Sequence, residues 1–168
     1  MIGNGPTEIS DGDFRLREIR REDSESLYRW RMGEDARPMF VNGAVVPFDT
    51  HQAYLERYFQ PENTDRWFII ERLGAPVGTL AFYDLDPEQG EYEWGRLVVA
   101  PEARGHGAAL AALRLLMRYG RLIGLRGIRS EVLETNHRVT ATQDELGMTR
   151  VAIRERDGRR FVIFRVEL

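Results

Sequence analysis

The spacing of apolar and polar residues predicts a sheet of six to seven strands. At Phe14 to Ile19, apolar side chains alternate with polar ones, which is the pattern of a half-buried strand. The runs Trp67 to Glu71 and Val77 to Tyr83 flank a turn and therefore predict an antiparallel hairpin. The remaining predicted strands lie at Tyr92 to Val99, Ile128 to Leu133, Val151 to Glu155 and Phe161 to Val166.

Helical spacing predicts four helices between these strands. The first runs from Asp23 to near Gly33, and the second runs from Asp49 or Thr50 to Pro61. The other two run from Gly107 to Gly124 and from about Val139 to Leu146. This order of elements predicts one α/β (α+β) domain over residues 1–168, with a mixed central sheet and flanking helices. Residues 1–13 are expected to form a loose leader.

Composition narrows the classes of function. At 168 residues the chain is long enough to bury a core as one domain, and its net charge of −3 lacks the basic footprint of a nucleic-acid-binding protein. There are no cysteines, so disulfides and a cysteine nucleophile are excluded. The three histidines, His51, His106 and His137, lie too far apart for metal-ligand spacing. No apolar run approaches the ~20 residues of a membrane-spanning helix and no secretory segment is recognisable, so we expect a cytoplasmic protein.

A glycine-rich turn between the fourth predicted strand and the third predicted helix is the candidate binding site. The run Arg104-Gly105-His106-Gly107 leads directly into the helix, whose first backbone amides are free to bind an anion. The turn lacks the Gly-Lys-Ser/Thr ending of nucleotide hydrolases and the third glycine of the dinucleotide-binding fingerprint. A tight turn without a ligand is the alternative, but the side chains of Arg104 and His106 favour an anion site.

The same stretch resembles a known motif. The run Leu97-Val98-Val99-x-Pro101-x-x-Arg104-Gly105-x-Gly107-x-Ala109 is similar to the acyl-CoA motif of the GNAT superfamily of N-acetyltransferases. The order of the predicted elements and the position of Asn136 agree with that superfamily over nearly the whole chain. The resemblance implies a sheet that is splayed between its fourth and fifth predicted strands, with acetyl-CoA bound in the splay as cosubstrate.

The resemblance also implies roles for the residues of the motif. Backbone groups of Leu97 and Val99 would pair with pantetheine, and the amide of Val99 would face the thioester oxygen. Asn136 would also contact pantetheine, and the amides of the turn would hold the pyrophosphate. The implied cofactor-binding residues are Leu97, Val98, Val99, Arg104, Gly105, His106, Gly107, Ala108, Ala109, Asn136 and Gln143.

Glu93 is the candidate general base. An amine with a pKa of about 10.4 must be deprotonated before it attacks, at a cost of roughly 4.6 kcal/mol at pH 7. Glu93 precedes Val99 by six residues on one strand, which predicts that it shares a face with Leu97 and Val99. This position is similar to that of the glutamate base in some GNAT members, which acts directly or through water. An exposed strand glutamate, like Glu91, is the alternative interpretation.

The chain departs from the family at the residue that usually protonates the leaving thiolate. The usual run Asn-x-x-Ala-x-x-Leu-Tyr reads here from Asn136 to Gln143, so Gln143 replaces the tyrosine. Glutamine cannot supply a proton, although it could hydrogen-bond the sulfur. A thiol with a pKa of about 8.5 leaves as thiolate at a cost of only roughly 2 kcal/mol, so the departure does not exclude activity. His137 is either a substitute acid or a surface residue.

The acceptor is the least determined part of the reaction. Trp30-Arg31 and Met39-Phe40 are similar to the GNAT branch that acetylates protein N-termini, polyamines and nucleotide-linked amino sugars. The implied substrate-binding residues are Trp30, Arg31, Met39, Phe40 and Tyr83, with Trp30 as a core residue and Arg31 as a solvated charge in the alternative interpretation. The leading hypothesis is acetyl transfer from acetyl-CoA to a small primary amine, with a nucleotide-linked amino sugar preferred. Polyamines, aminoglycosides and protein N-termini stay open as acceptors.

A function of a different class also stays open. An acyl-CoA-binding module with little or no catalysis is favoured by Gln143, whereas Glu93 argues against it. No nucleic-acid or membrane partner is predicted. A homodimer is among the oligomeric states that the sequence leaves open.

Overall fold

The computed structural model describes residue 3 and residues 5–168, and in these residues it contains one eight-stranded mixed sheet and four α-helices. The strands are β1 (Glu8–Asp11), β2 (Phe14–Glu18), β3 (Arg66–Arg72), β4 (Ala75–Asp86), β5 (Glu91–Val99), β6 (Gly127–Leu133), β7 (Thr149–Arg156) and β8 (Arg159–Glu167). The helices are α1 (Ser24–Met32), α2 (Phe48–Tyr58), α3 (Ala108–Ile123) and α4 (His137–Glu145). The predicted fold class of a single α/β domain with a mixed sheet is confirmed.

The sheet has the strand order β1-β2-β3-β4-β5-β6-β8-β7, and its neighbouring strands are antiparallel except for β5 and β6. These two parallel strands share only three residue pairs, the last of which joins Glu93 to Arg129. Beyond that pair, β5 continues to Val99 and β6 continues to Leu133 without a common register. The splay implied between the fourth and fifth predicted strands is therefore present, between β5 and β6.

Two hydrophobic cores cover the two faces of the sheet. On the α3 face, the apolar stripe of α3 packs against residues that include Phe68 and Trp94. On the α1–α2 face, Leu27 and Leu55 pack against residues that include Ile69. Phe68 and Ile69 are consecutive in β3 and enter opposite cores, because side chains alternate across a strand. No helix in the described part of the chain is long and apolar enough to cross a membrane.

The leader is not loose throughout, because residues 8–11 form β1 at the edge of the sheet. Ile9 is the only buried residue of this strand, and it pairs with Leu16 of β2. One apolar residue in a short polar strand gives no alternation, so the pattern could not reveal β1. The helices α2 and α4 also begin earlier than predicted, at Phe48 and His137.

A β-bulge interrupts β5 next to the splay. Arg96 and Leu97 of β5 stand opposite the single residue Leu80 of β4. The backbone of Arg96 has a φ of +54°, which is the left-handed region. A non-glycine residue adopts this conformation at a cost of roughly 1–2 kcal/mol, and bulges of this kind are concentrated beside functional sites.

The bulge shifts the alternation of side chains along β5, so that residues after it lie on the face opposite to the one that regular spacing predicts. Trp94 and Leu97 are an odd number of residues apart, yet both pack against the α3 core. A regular strand would place them on opposite faces. Glu93 is next to Trp94 and therefore lies on the α1–α2 face. The prediction that Glu93 shares a face with Leu97 and Val99 is wrong, because it assumed an uninterrupted strand.

A largely buried ion-pair network joins β2, β3 and the start of α1. Glu71 of β3 accepts hydrogen bonds at 2.8 Å from Nε of Arg15 and from Nε of Arg17, and Arg17 also donates to Asp23. The side chain of Glu71 is 6% exposed. Burial acts to raise the pKa of Glu71, but the hydrogen bonds from Arg17 and Arg15 outweigh it and hold the pKa below its usual value.

We expect Glu71→Gln to destabilise the protein by about 2 kcal/mol at pH 7, because Arg15 and Arg17 lose a buried charged hydrogen-bond partner while Arg17 keeps its ion pair with Asp23. The lowered pKa means that the ionised carboxylate stabilises the fold fully above the unfolded value of 4.5 and loses this effect as the pH falls through the folded value. Denaturant unfolding at pH 7 and in the acid range measures the difference between variant and wild type. A difference that does not shrink in acid would contradict this assignment.

Candidate active site

The glycine turn and α3 present a set of open backbone donors. Gly105 and Gly107 have φ values of +81° and +75°, a conformation that favours glycine, and the space where a Cβ would stand is open at both. Gly107 is the N-cap of α3, and no side chain among the described residues caps this end of the helix. Ala111 donates the first hydrogen bond into the helix, to the carbonyl of Gly107. The amides ahead of Ala111 are therefore available to an anion.

The splay leaves backbone groups of β5 without a strand partner. The amide of Ala100 donates to Val77 on the β4 side, so the adjacent residue Val99 directs its N–H and C=O to the opposite edge, where the carbonyl accepts from Arg104 Nε at 3.3 Å. At that edge β6 has already diverged. Leu97 lines the same stretch of the cleft. The direction of the Val99 N–H suits pairing with an extended ligand, and the pairing itself stays a prediction.

A cleft of about 1310 Å³ runs from the glycine turn through the splay. Its walls are parts of the end of β5 (94–99), the turn and start of α3 (103–110), the end of β6 with the loop into α4 (131–142), and the connection between α1 and α2 (34–41). Tyr83 of β4 also lines it. Pockets for drug-sized ligands span roughly 300–1,000 Å³, so this cleft has room for an elongated ligand and a second molecule.

Arginine side chains hold the connection between α1 and α2 against the cleft. Arg159 of β8 donates to carbonyl oxygens of the connection, with the shortest bond at 2.7 Å. Arg104 of the glycine turn donates to Asp35 at 2.8 Å. The guanidinium of Arg31 lies 3.8 Å from the ring centre of Phe40. This wall of the cleft is therefore attached both to the glycine turn and to β8.

A polar cluster lies where β5 and β6 separate. Tyr83 Oη donates to Glu93 Oε1 at 3.1 Å, and Arg129 Nε lies 3.8 Å from Glu93 Oε2. Burial raises the pKa of Glu93, the nearby carboxylates of Glu131 and Asp84 add to the shift, and Tyr83 and Arg129 reduce it. A carboxyl with a raised pKa is closer to the operating pH and is a better general base.

Tyr83 reaches from this cluster to the cleft wall. Its ring lies beside the guanidinium of Arg96, 4.6 Å from the ring centre. Its hydroxyl occupies the space above Gly95, where an added Cβ would lie 2.5 Å from Tyr83 Oη. Burial raises the pKa of Tyr83 above its usual value, and the charge of Glu93 adds to the shift. The phenol is therefore protonated at neutral pH and donates to Glu93.

A second carboxylate, Glu131 of β6, lines the cleft and was not predicted. Its side chain is 8% exposed, and Arg154 and Arg156 of β7 form ion pairs with it at 3.3 and 3.4 Å. Its Oε1 atom has no hydrogen-bond partner among the described residues. The sequence signal that could have revealed Glu131 is its place inside a short strand whose other residues are mostly buried. A carboxylate at such a position is rarely buried unless it is paired or functional.

Most of the predicted cofactor and acceptor residues line the cleft. They are Leu97, Val98, Val99, Arg104, Gly105, Gly107, Ala108, Ala109, Asn136, Met39, Phe40 and Tyr83. The predicted residues that do not line it are Glu93, His106, Gln143, Trp30 and Arg31.

Trp30 and Arg31 are not placed for direct contact with a ligand in the cleft. Trp30 is 6% exposed and packs in the α1–α2 core with Leu27, because both lie on the apolar stripe of α1. The prediction of Trp30 as a substrate-binding residue is therefore wrong, and the alternative of a core residue holds. Arg31 stacks on Phe40 and donates to the carbonyl of Asn42, so it positions the cleft wall.

Gln143 and His106 also differ in place from the prediction. Gln143 is fully buried, and its Oε1 accepts a hydrogen bond from Ser130 of β6, so its side chain does not reach the cleft wall. His106 is exposed at the tip of the turn, outside the cleft wall. Asn136 lines the cleft, but its Oδ1 accepts from the amide of Val139 at 3.4 Å and caps α4.

Comparison with protein-family models matches residues 13–149 to the acetyltransferase (GNAT) domain. The chain belongs to the GNAT family. A comparison with curated protein sequences finds no match. The GNAT assignment covers every strand from β2 to β6 and every helix.

Solved structures share this GNAT fold. Spermidine N-acetyltransferase from Vibrio cholerae, in complex with CoA and spermine, has a TM-score of 0.85 at 15% identity, covering 94% of this chain and 96% of that one. The ribosomal L7/L12 alpha-N-protein acetyltransferase RimL has a TM-score of 0.80 at 13% identity, covering 97% and 93%. A probable GNAT acetyltransferase from Chromobacterium violaceum has a TM-score of 0.80 at 17% identity, covering 99% and 89%. At these identities the likeness shows the fold alone.

The GNAT cleft fits an acyl-CoA in two respects. The open amides at the start of α3 suit a pyrophosphate, and glycine at 105 and 107 leaves room for a close approach. The N–H of Val99 suits an extended chain lying in the splay, as in the addition of a strand to an exposed edge.

We expect Gly107→Ala to weaken CoA binding about tenfold, which corresponds to about 1.4 kcal/mol. A side chain at this position strains a φ of +75° and occupies the open approach to the amides. Titration calorimetry with CoA measures the change. Gly74→Ala is the matched control, because Gly74 has a φ of +82° and equally open space but lies in the β3–β4 turn. Equal losses of affinity in the two variants would contradict binding at the glycine turn.

Proposed function

We propose that this GNAT protein transfers an acetyl group from acetyl-CoA to a primary amine. The observation that supports this function is the course of the cleft, which begins at the open amides of α3 and passes the splay to the cluster of Tyr83 and Glu93. A cleft of this shape would bring an activated acyl group close to Tyr83, whose hydroxyl contacts the proposed proton acceptor. A cytoplasmic location is part of the proposal.

When bound, acetyl-CoA supplies the acetyl group as a thioester that is activated toward amines. The amides at the start of α3 and Arg104 would hold its pyrophosphate. The N–H of Val99 points into the splay and would donate to the thioester oxygen. Glu93 would receive the proton that the amine loses. Loss of a thiolate without an acid costs roughly 2 kcal/mol at pH 7, so a buried Gln143 is compatible with activity.

The acceptor is proposed to be a small cationic amine. Asp35 and Glu131 are already paired with arginines, but Glu34 lines the cleft with no ion pair among the described residues, and its charge favours a cation. By their names, one structural neighbour acts on spermidine and another on the N-terminus of a ribosomal protein. A nucleotide-linked amino sugar loses its main support, because Trp30 is a core residue. Polyamines, aminoglycosides and protein N-termini are the remaining acceptor classes.

The second candidate function is an acyl-CoA-binding module without catalysis, which the burial of Gln143 favours. Release of free thiol from acetyl-CoA, measured with spermidine, an aminoglycoside, an amino sugar nucleotide and a short peptide as acceptors, separates the two functions. We expect at least one amine to accelerate release well above the rate of hydrolysis. CoA binding without acceleration by any amine would overturn the enzymatic proposal and leave the binding module.

We expect Glu93→Gln to lower kcat about 100-fold, because a positioned base contributes roughly 10²–10⁴-fold. The wild-type rate should fall as the pH drops through the pKa of Glu93, which burial has raised, because the base acts in its deprotonated form. The pH profile of kcat/KM with the best amine measures this acidic limb, and Glu93→Gln should abolish it.

Glu131→Gln serves as the comparison variant. It keeps Glu93 but removes a negative charge that raises the pKa of Glu93, so the acidic limb should move to lower pH. An acidic limb that is identical in wild type and Glu93→Gln would remove Glu93 from the role of base.

A further inference from the structure

The proposed base does not line the cleft, whereas its hydrogen-bond partner does. Tyr83 lines the cleft and donates to Glu93 at 3.1 Å, while Glu93 lies behind it with 19% of its side chain exposed. We propose that the Tyr83 hydroxyl contacts the acceptor amine and relays its proton to Glu93. This inference rests on the proposed acetyltransferase function and assigns a further catalytic residue to it.

The backbone brings the two groups together. Tyr83 and Glu93 are paired residues of β4 and β5, and both lie on the α1–α2 face, upstream of the bulge at Arg96. The absence of a side chain at Gly95 makes room for the phenol, because a Cβ there would lie 2.5 Å from Tyr83 Oη. The guanidinium of Arg96 lies over the ring of Tyr83, 4.6 Å from its centre. The hydroxyl is therefore fixed between the cleft and the carboxylate.

The surrounding charges favour a relay over an ionised tyrosine. The charged groups that face Glu93 are Asp84 of β4 and Arg129 and Glu131 of β6, while Arg96 of β5 faces Tyr83. Burial and the charge of Glu93 hold the pKa of Tyr83 above its usual value. The phenol must therefore accept one proton as it gives up another.

Atoms and electrons balance in this transfer. One N–H bond of the ammonium breaks and its proton joins Tyr83 Oη, while the original Oη proton moves to Glu93 Oε1. The neutral nitrogen then bonds to the acetyl carbon, and the carbon–sulfur bond breaks with its electron pair leaving on the sulfur of CoA as thiolate. The second proton that the nitrogen loses as the amide forms passes to this thiolate, which leaves as the thiol. Tyrosine ends as it began, and the proton on Glu93 passes to water after the products leave.

We expect Tyr83→Phe to lower kcat by about 10- to 100-fold, with the affinity for CoA unchanged. Because the two groups act in series, Tyr83→Phe should cause no further loss in the Glu93→Gln background. Gly95→Ala displaces the hydroxyl without altering Tyr83 or Glu93, so it should lower kcat in the same direction. Tyr92→Phe is the matched control, because Tyr92 lies on the α3 face and donates to the carbonyl of Thr64.

Each variant is measured by steady-state kinetics with the best amine. Thermal unfolding and CoA calorimetry show whether the variant keeps its fold and its affinity for CoA. A Tyr83→Phe variant with wild-type kcat would overturn the relay, and so would losses that add in the double variant.

If the wild-type protein transfers acetyl to no amine, the proposed function fails, but the hydrogen bond between Tyr83 and Glu93 can still be tested. The titration of Glu93, followed by carbon NMR, tests that hydrogen bond. The hydrogen bond from Tyr83 lowers the pKa of Glu93, so Tyr83→Phe should raise it. An unchanged pKa would overturn the role of Tyr83.

Discussion

The left-handed backbone conformation of Arg96, which forms the bulge in β5, is the constraint on which the rest of the site depends. Glu93 lies with Tyr83 of β4 on the face covered by α1 and α2, and one extra residue in β5 brings Leu97 to the face covered by α3. The proposed proton acceptor and the backbone edge of the cleft therefore come from one strand, although the side chains of Glu93 and Leu97 lie on opposite faces of the sheet. Aromatic contacts, with Tyr83 at 4.6 Å and Trp67 at 5.1 Å from the guanidinium, and an ion pair with Asp65 offset the cost of this strained backbone.

Two carboxylates beside the splay have different surroundings and therefore different uses. Glu93 is held by a neutral phenol and a distant guanidinium, and burial raises its pKa, which suits proton transfer. Glu131 is paired with two arginines of the edge strand and lines the cleft, which suits a fixed charge. The environment of each group, more than its residue type, separates the two roles.

Alternation and helical spacing were sufficient for the fold, because most strands have a clear apolar face. They were insufficient for β1, whose single buried residue Ile9 gives no pattern. The glycine turn was predictable because its chemistry is local and depends on the backbone of α3. The face of Glu93 was not, because a bulge leaves no mark in residue spacing. Trp30 was misassigned because a tryptophan on the apolar stripe of a helix and one in a ligand cleft have the same sequence signal.

The three-pair contact between β5 and β6 has a mechanical consequence. The sheet consists of two half-sheets joined by the three residue pairs of β5 and β6. Beyond these pairs, the edge of β5 is open to an added extended segment. Whatever completes that edge joins the halves and adds to the free energy of unfolding in proportion to the logarithm of its concentration. A ligand that bound along this edge would therefore raise the melting temperature, and the size of the increase would report how fully the cleft is occupied.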